Sequence, residues 1–283
     1  MNADLHCHST VSDGTLAPAE VARRAAANGV TLWSLTDHDV IDGQDEALET
    51  ARACGMDYLT GVEISITFAG KTVHIVGLGF DPHNTDLREG LARVRGGRQL
   101  RGQLIAERLE KLGFPNAYEG AMRHATDPEG LSRTHFARYL METGRFNDVN
   151  EIFNRYLGDG KPACVPDQWA TLSESVQWIR NAGGMAIIAH PARYGFSPNA
   201  EFALFDEFKT HGGLGVEVVT GSHLPHEYPI YADMAREFSL CASCGSDFHD
   251  PIEAHVDLGT LPHLPQDLTP VWQVLEHRIH RAH

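Results

Sequence analysis

The sequence predicts an α/β barrel interrupted by a block of helices. Three observations carry that expectation. Strand-like apolar runs alternate with helical segments towards both ends of the chain, a long middle stretch is helical throughout, and histidines and carboxylates gather where the strands end. At 283 residues the chain has room for one large α/β domain, or for a barrel carrying an inserted subdomain.

The elements follow in order. "ADLHCH" opens as a short strand, and "APAEVARRAAANG" follows as a helix with Pro18 near its start and Gly29 placed to stop it. "VTLWSLTDHD" reads as a buried strand, "DGQDEALETARACG" as a helix closed by Gly55, and "MDYLTGVEIS" as the next strand. "TFAGKTVHIVGLGF" looks like a hairpin turning at Ala69-Gly70. A β-α-β-α order of this kind calls for parallel strands joined by crossover helices. From about Asp86 to Tyr156 only helical segments appear, and Arg88 to Lys111 is locally basic. We therefore expect a barrel formed by residues 1–87 and 166–283, with residues 88–165 as an inserted helical cap. After Pro166 alternation returns through "SESVQWIRNAGG", "MAIIAHP", "EFALFDEFKTHGG", "LGVEVVTG", "EYPIYADMAREFS" and "LCASCGSDFH", with "HVDLGTL" as a last short strand. The total of about seven or eight strands, most followed by helices, fits a barrel better than an open sheet.

Composition narrows the function. Apolar residues at 42% and charged residues at 22% describe a globular protein. There is no apolar run of membrane-spanning length, and "MNADLHCH" has neither a basic nor an apolar leader region, so a cytoplasmic protein is expected. Five cysteines without a disulfide framework suit reduced thiols, and Cys241-x-x-Cys244 lies in a strand with no second pair to complete a zinc site. The net charge of −15 argues against a general nucleic-acid coat, although it leaves an anionic substrate open. Nothing signals an obligate protein partner. The 17 histidines are many for this length and direct the search towards metal.

The informative polar residues sit at the C-terminal ends of predicted strands. His6 and His8 end the first strand, with Asp13 in the following loop; His38 follows "LWSLTD" and Glu63 closes "YLTGVE". His74 sits in the hairpin, His190 ends "MAIIAH", and Asp247 and His249 end "CASCGSDFH". In a closed parallel barrel these ends converge on one face. H-x-H on a strand puts both imidazoles on the same face, because side chains alternate with a period of two. Imidazoles and carboxylates without thiolate suit Zn, Mn or Fe, and the set is too large for one tetrahedral ion. With Glu63 as a bridge, it suggests two or three divalent ions. His83, His124, His211, His255, His263, His277, His280 and His283 do not fit the strand-end pattern and are read as surface residues.

The segments "DLHCHSTVSDG", "LTDHDVIDG", "GVEIS", "HIVGLGF", "IIAHP" and "GSDFH" resemble, in order, the motifs of the PHP (polymerase and histidinol phosphatase) family of metal-dependent phosphoesterases. The resemblance runs from Asp4 to His249. It implies a distorted, TIM-like barrel of about seven strands within the amidohydrolase-like folds. It also implies metal-ligand roles for His6, His8, Asp13, His38, Glu63, His74, His190, Asp247 and His249, with Mn the first choice of metal and Fe or Zn as alternatives. The helical insertion and "SRTHFARYL" look most like the bacterial branch that removes the 3′-phosphate from nucleoside 3′,5′-bisphosphates, whose close relatives trim short 5′-phosphorylated RNA from its 5′ end. The implied substrate is a nucleotide, with short RNA as a second one.

Phosphate monoesters hydrolyse very slowly unaided, so the chemistry calls for a hydroxide activated by metal. Asp247 or a ligand histidine is a candidate base, and His190 or His249 a candidate acid for the leaving group. Arg133 and His135, with Ser132 at a helix start, are candidates for binding the remaining phosphate; so are Arg193 after "HPA" and His223 in "TGSH". Competing readings are a histidinol-phosphate or other small-molecule phosphatase, and a metal-stabilised interaction module without catalysis.

Overall fold

In the computed structural model, which describes residues 1–125, 128, 131–165, 169–252 and 254–282, strand β1 (Ala3–Asp4) is fully buried. It pairs in parallel with β2 (Leu32–Trp33), and β2 pairs in parallel with β3 (Asp57–Tyr58). The crossovers are the expected helices, α1 (Pro18–Ala27) and α2 (Gln44–Ala53). "MDYLTGVEIS" divides into two strands, since the chain leaves this first sheet after Tyr58 and enters a second at Gly61.

The second sheet has the order β4-β5-β6-β7-β8. Its β4 (Gly61–Phe68) and β5 (Lys71–Leu78) form the expected antiparallel hairpin, with Phe68 opposite Lys71. Ala69 and Gly70 have φ of 46° and 76°, the left-handed pair that a two-residue hairpin turn requires. The hairpin reverses the chain direction, so β5 is also antiparallel to β6 (Met185–Ile188); β7 (Gly215–Thr220) and β8 (Cys241–Gly245) continue in parallel from there.

Hydrogen bonds join the two sheets at both flanks. The Leu5 N–H donates to Cys244 O at 3.0 Å and the His8 N–H to Phe248 O at 2.8 Å, while on the other side the Asp39 N–H donates to Glu63 O at 2.9 Å. Gly245 permits the first approach. A Cβ there would lie 2.2 Å from the His6 Cβ and 2.5 Å from the His6 nitrogen, closer than any side chain allows.

The middle of the chain is helical, as expected: α3 (Thr85–Lys111), α4 (Ala117–Met122), α5 (Arg133–Glu142) and α6 (Val149–Ile152), which runs into a wider turn at Phe153–Leu157. Two apolar faces explain the length of α3. Leu87, Leu91 and Val94 pack into the core of the sheets, whereas Ile105 and Leu109 join Phe114, Phe136, Leu140 and Ile152 in a separate cluster. Residue 88 therefore lies inside one continuous helix.

Helices α7 (Leu172–Asn181), α8 (Pro198–Thr210) and α9 (Tyr228–Glu237) alternate with β6, β7 and β8, and α10 (Val271–Val274) follows. "HVDLGTL" forms turns rather than a strand. Its polar groups are taken by α1 instead: Arg24 donates twice to Asp257 at 2.8 Å, and Asn28 donates to Leu258 O at 2.8 Å. The resumption expected at Pro166 and the surface assignment of His283 lie outside the described residues. Among those described, no helix is long and apolar enough to cross a membrane.

Candidate metal centre

Although Glu63 lies near the start of β4 rather than at its end, and His6 and His8 follow β1 instead of closing it, the nine expected ligands meet in one cluster. Glu63, at the flank where β4 meets the extension of β2, lies at its middle. Its Oε2 is 3.3 Å from His6 Nε2, 3.2 Å from His8 Nε2 and 3.0 Å from His38 Nδ1. Its Oε1 is 2.9 Å from His74 Nδ1 and 2.8 Å from His190 Nε2. Asp247 Oδ1 faces the same two first-strand imidazoles, 3.5 Å from His6 Nε2 and 3.3 Å from His8 Nε2. On the other side Asp13 Oδ1 is 3.4 Å from His249 Nε2, and 3.9 Å from both His8 Nδ1 and His38 Nε2.

These atoms fall into four groups whose donors lie within 4.8 Å of one another: His8, Asp13, His38 and His249; His6, His190 and Asp247; His6, His8 and Glu63; and His38, Glu63 and His74. His8 Nδ1, Asp13 Oδ1, His38 Nδ1, Glu63 Oε2, His74 Nδ1, His190 Nδ1 and Asp247 Oδ1 are buried without a hydrogen-bond partner. Buried polar atoms are rarely left so, and their convergence fits divalent cations. The donor set is nitrogen and oxygen without thiolate, which suits borderline metals.

The electrostatics show how strongly the acids act on the rings: against the effect of burial, Glu217, Glu63 and Asp247 raise His6 well above the ordinary imidazole value, and His8 is raised to about 10. Burial alone would raise the Glu63 carboxyl, but His74, His6 and His38 hold it well below the usual glutamate value. Burial likewise opposes ionisation of Asp247, and His6, His8, His190 and Arg193 overcome it. Burial pushes His38 well below the ordinary imidazole value, leaving a neutral ring able to ligate. Backbone strain is concentrated here as well: His190, Asp247 and Asp39 have φ of 24°, 53° and 55°.

An outer layer of carboxylates supports the cluster, and sequence reasoning missed it. Glu217 on β7 reaches His6 Nδ1 with one oxygen and the His190 N–H with the other, both at 2.7 Å. Asp37 accepts from the Ser9 N–H, the Ser9 hydroxyl and the Ser12 hydroxyl at 2.7, 2.7 and 2.6 Å, shaping the loop after His8. Asp39 accepts from the Ser65 N–H and hydroxyl at 2.7 and 2.8 Å and from the buried Arg98 of α3. One signal was available for Glu217, a lone carboxylate inside the apolar run "GVEVVT", and Asp37 and Asp39 flank His38 in "LTDHD".

The expected substrate residues divide. Ser132 Oγ donates to Asp13 Oδ2 at 3.2 Å, and the Ser132 N–H donates to His135 Nδ1 at 3.0 Å. His135 is fully buried, and burial pushes its imidazole down to about 4. Arg193 Nη1 reaches Asp247 Oδ2 at 2.9 Å and is half-exposed at the rim. The Arg133 guanidinium donates instead to Asp159 at 2.8 Å and to Leu157 O at 3.3 Å, within the helical block. His223 stacks on Tyr231 with ring centroids 4.6 Å apart, and its Nε2 accepts the Ala192 N–H at 3.3 Å, bracing the turn after His190.

Comparison with known proteins bears on this geometry. A model of the PHP domain matches residues 4–159. A 3′,5′-nucleoside bisphosphate phosphatase from Chromobacterium violaceum is 45% identical over 280 residues, covering 99% of this chain and 98% of the relative. A 5′-3′ exoribonuclease from Haemophilus influenzae is 43% identical over 270 residues, covering 95% of this chain and 97% of the relative. The solved structure of an amidohydrolase from Chromobacterium violaceum with bound sulfate has a TM-score of 0.96 at 45% identity, covering 100% of this chain and 99% of that one.

Proposed function

The chain belongs to the PHP-domain family, and we propose that it is a metal-dependent phosphatase removing the 3′-phosphate of nucleoside 3′,5′-bisphosphates, with trimming of short 5′-phosphorylated RNA from the 5′ end as a companion activity. The observation that carries this reading is the convergence of buried, partnerless donors in a chain 45% identical, over almost its whole length, to a phosphatase of that name. The exoribonuclease relative supports the companion activity.

His6, His8, Asp13, His38, Glu63, His74, His190, Asp247 and His249 would hold two or three divalent ions, with Mn first and Fe or Zn as alternatives. Bound there, such ions supply an activated water and neutralise the charge that grows as the phosphoryl group leaves. Asp247 is assigned as the proton acceptor. Arg193 and Ser222 hold its Oδ2, which leaves Oδ1 facing the cluster. His249 Nδ1 lies 2.9 Å from the Asp247 carbonyl, so it carries the proton, and its Nε2 lone pair turns towards Asp13. That makes His249 a better holder than acid, and the same holds for His190, whose Nε2 lies 2.8 Å from Glu63. His135, whose Nδ1 accepts a hydrogen bond from the Ser132 N–H, keeps its proton on a buried, partnerless Nε2 beneath the site, and Arg193 adds charge at the rim.

The hydrogen bonds at both flanks support reading the two sheets as one distorted TIM-like barrel, with eight strands rather than about seven because "MDYLTGVEIS" contributes both β3 and β4. The separate apolar cluster of α3 to α6 supports reading residues 88–165 as its cap. Five unpaired thiols suit a reducing compartment and support a cytoplasmic setting.

A phosphate-release panel tests the proposal, comparing a nucleoside 3′,5′-bisphosphate, nucleoside monophosphates, histidinol phosphate and 5′-phosphorylated oligoribonucleotides. The bisphosphate should give the highest kcat/KM. Faster turnover of histidinol phosphate, or no release from the bisphosphate, overturns the assignment.

A further inference from the structure

We propose that the helical block completes one of the metal-binding groups, so that the ion held by His8, Asp13, His38 and His249 binds only as tightly as α3 and α5 are docked. The proposal rests on the metal-dependent reading above and goes beyond it in saying which element controls which ion.

The two oxygens of Asp13 have separate partners. Oδ1 is buried without a hydrogen bond and faces His249, His8 and His38. Oδ2 accepts the hydroxyl of Ser132, which caps α5, at 3.2 Å. The backbone carbonyl of Asp13 accepts from Arg138, further along the same helix, at 2.8 Å. A single helix of the inserted block thus grips Asp13 at both its side chain and its main chain. Helix α3 does the same for His38 through its neighbour: Arg98 donates to Asp39, whose own carboxylate also fixes Ser65. Asp39 holds a left-handed backbone, with φ of 55°, and a residue in that conformation needs such restraint.

The group of His6, His190 and Asp247 has different supports. Glu217 on β7 holds His6 and the His190 N–H, and Ser222 and Arg193, from loops after β7 and β6, hold Asp247. None of these belongs to the helical block. Outer contacts of this kind set ligand orientation and typically change metal affinity about 10–100-fold when removed. Losing the α5 contacts should therefore weaken one ion and spare the rest. By thermodynamic linkage, a ligand that stabilises the docking of α5 tightens the same ion.

The test is manganese binding by the full chain, measured as bound metal against free metal in equilibrium dialysis, for wild type, Ser132→Ala and Ser132→Thr. Removing one hydroxyl leaves the apolar cluster of the block intact, and circular dichroism checks this. Ser132→Ala should weaken one class of site about 10–100-fold, leave the remaining class at wild-type affinity, and be rescued by Ser132→Thr. Unchanged affinity at every site, or equal weakening of all of them, overturns the proposal. Wild-type protein that takes up no manganese, zinc or iron overturns the metal-dependent reading beneath it, which keeps the two failures apart.

Discussion

One oxygen of Glu217 lies 2.7 Å from His6 Nδ1, and the other accepts the backbone N–H of His190 at 2.7 Å. Two ligand motifs far apart in sequence are thereby fixed by one buried carboxylate. Because a carboxylate only accepts, His6 must carry a proton on Nδ1, which makes Nε2, facing Glu63 and Asp247, the atom that would ligate a cation.

Glu217→Gln should keep the fold but lower divalent-metal affinity about 10–100-fold. An amide oxygen can satisfy one of the two donors, whereas the amide NH2 faces the other. A chelator-competition titration measures this, and wild-type affinity in the variant would assign Glu217 a purely packing role.

Chelation should abolish phosphate release, and adding manganese back should restore it. Binding to the native state alone also stabilises, by about 2.7 kcal/mol when free metal is about 100 times Kd. The melting temperature should therefore rise with manganese and fall with chelator. His6→Ala should lose metal and turnover together, because its Nε2 faces both Glu63 and Asp247. Full activity in metal-free protein would end this account of the site.

Arg98→Met should destabilise the protein by about 3–5 kcal/mol, the usual cost of removing one partner from a buried ion pair. Asp39 is fully buried and, among the described residues, keeps its Ser65 contacts in that variant. Urea unfolding followed by tryptophan fluorescence gives the number, and Trp169, on which Arg98 stacks at 4.8 Å, reports the local change. A loss below about 1 kcal/mol would mean that water replaces the arginine at little cost.

Gly245→Ala should cost about 3 kcal/mol, the upper end of the usual overpacking range, since the added methyl meets the Cβ and backbone of His6, which cannot rotate away. Metal content should fall with it, because the segment after β1 that carries His6 and His8 must shift. Thermal melts with metal analysis on the same sample decide the point, and a variant with wild-type stability and metal would show that the two sheets can separate locally.

Much of this fold is legible in the sequence because its signals are local. Pro18 and Gly29 bracket α1, Ala69-Gly70 marks the hairpin, and four helical segments in succession announce the insertion. "HVDLGTL" misleads, as an alternating pattern does not reveal that Arg24 and Asn28 take up its polar groups. The candidate ligands are legible for a related reason: a histidine or carboxylate that ends an apolar strand interrupts a pattern that burial otherwise sets.

What the sequence by itself determined was therefore the kind of chemistry, nitrogen and oxygen donors at strand ends with no thiolate among them. Only the tertiary structure decided which donors share a site, because that depends on register between segments as distant as His6 and Asp247. It also decided that Glu217 stands behind His6, that Ser132 holds Asp13, and that Arg133 turns to Asp159. Each is a long-range contact of a side chain whose direction no local pattern encodes, and each depends on how the helical block packs against the sheets.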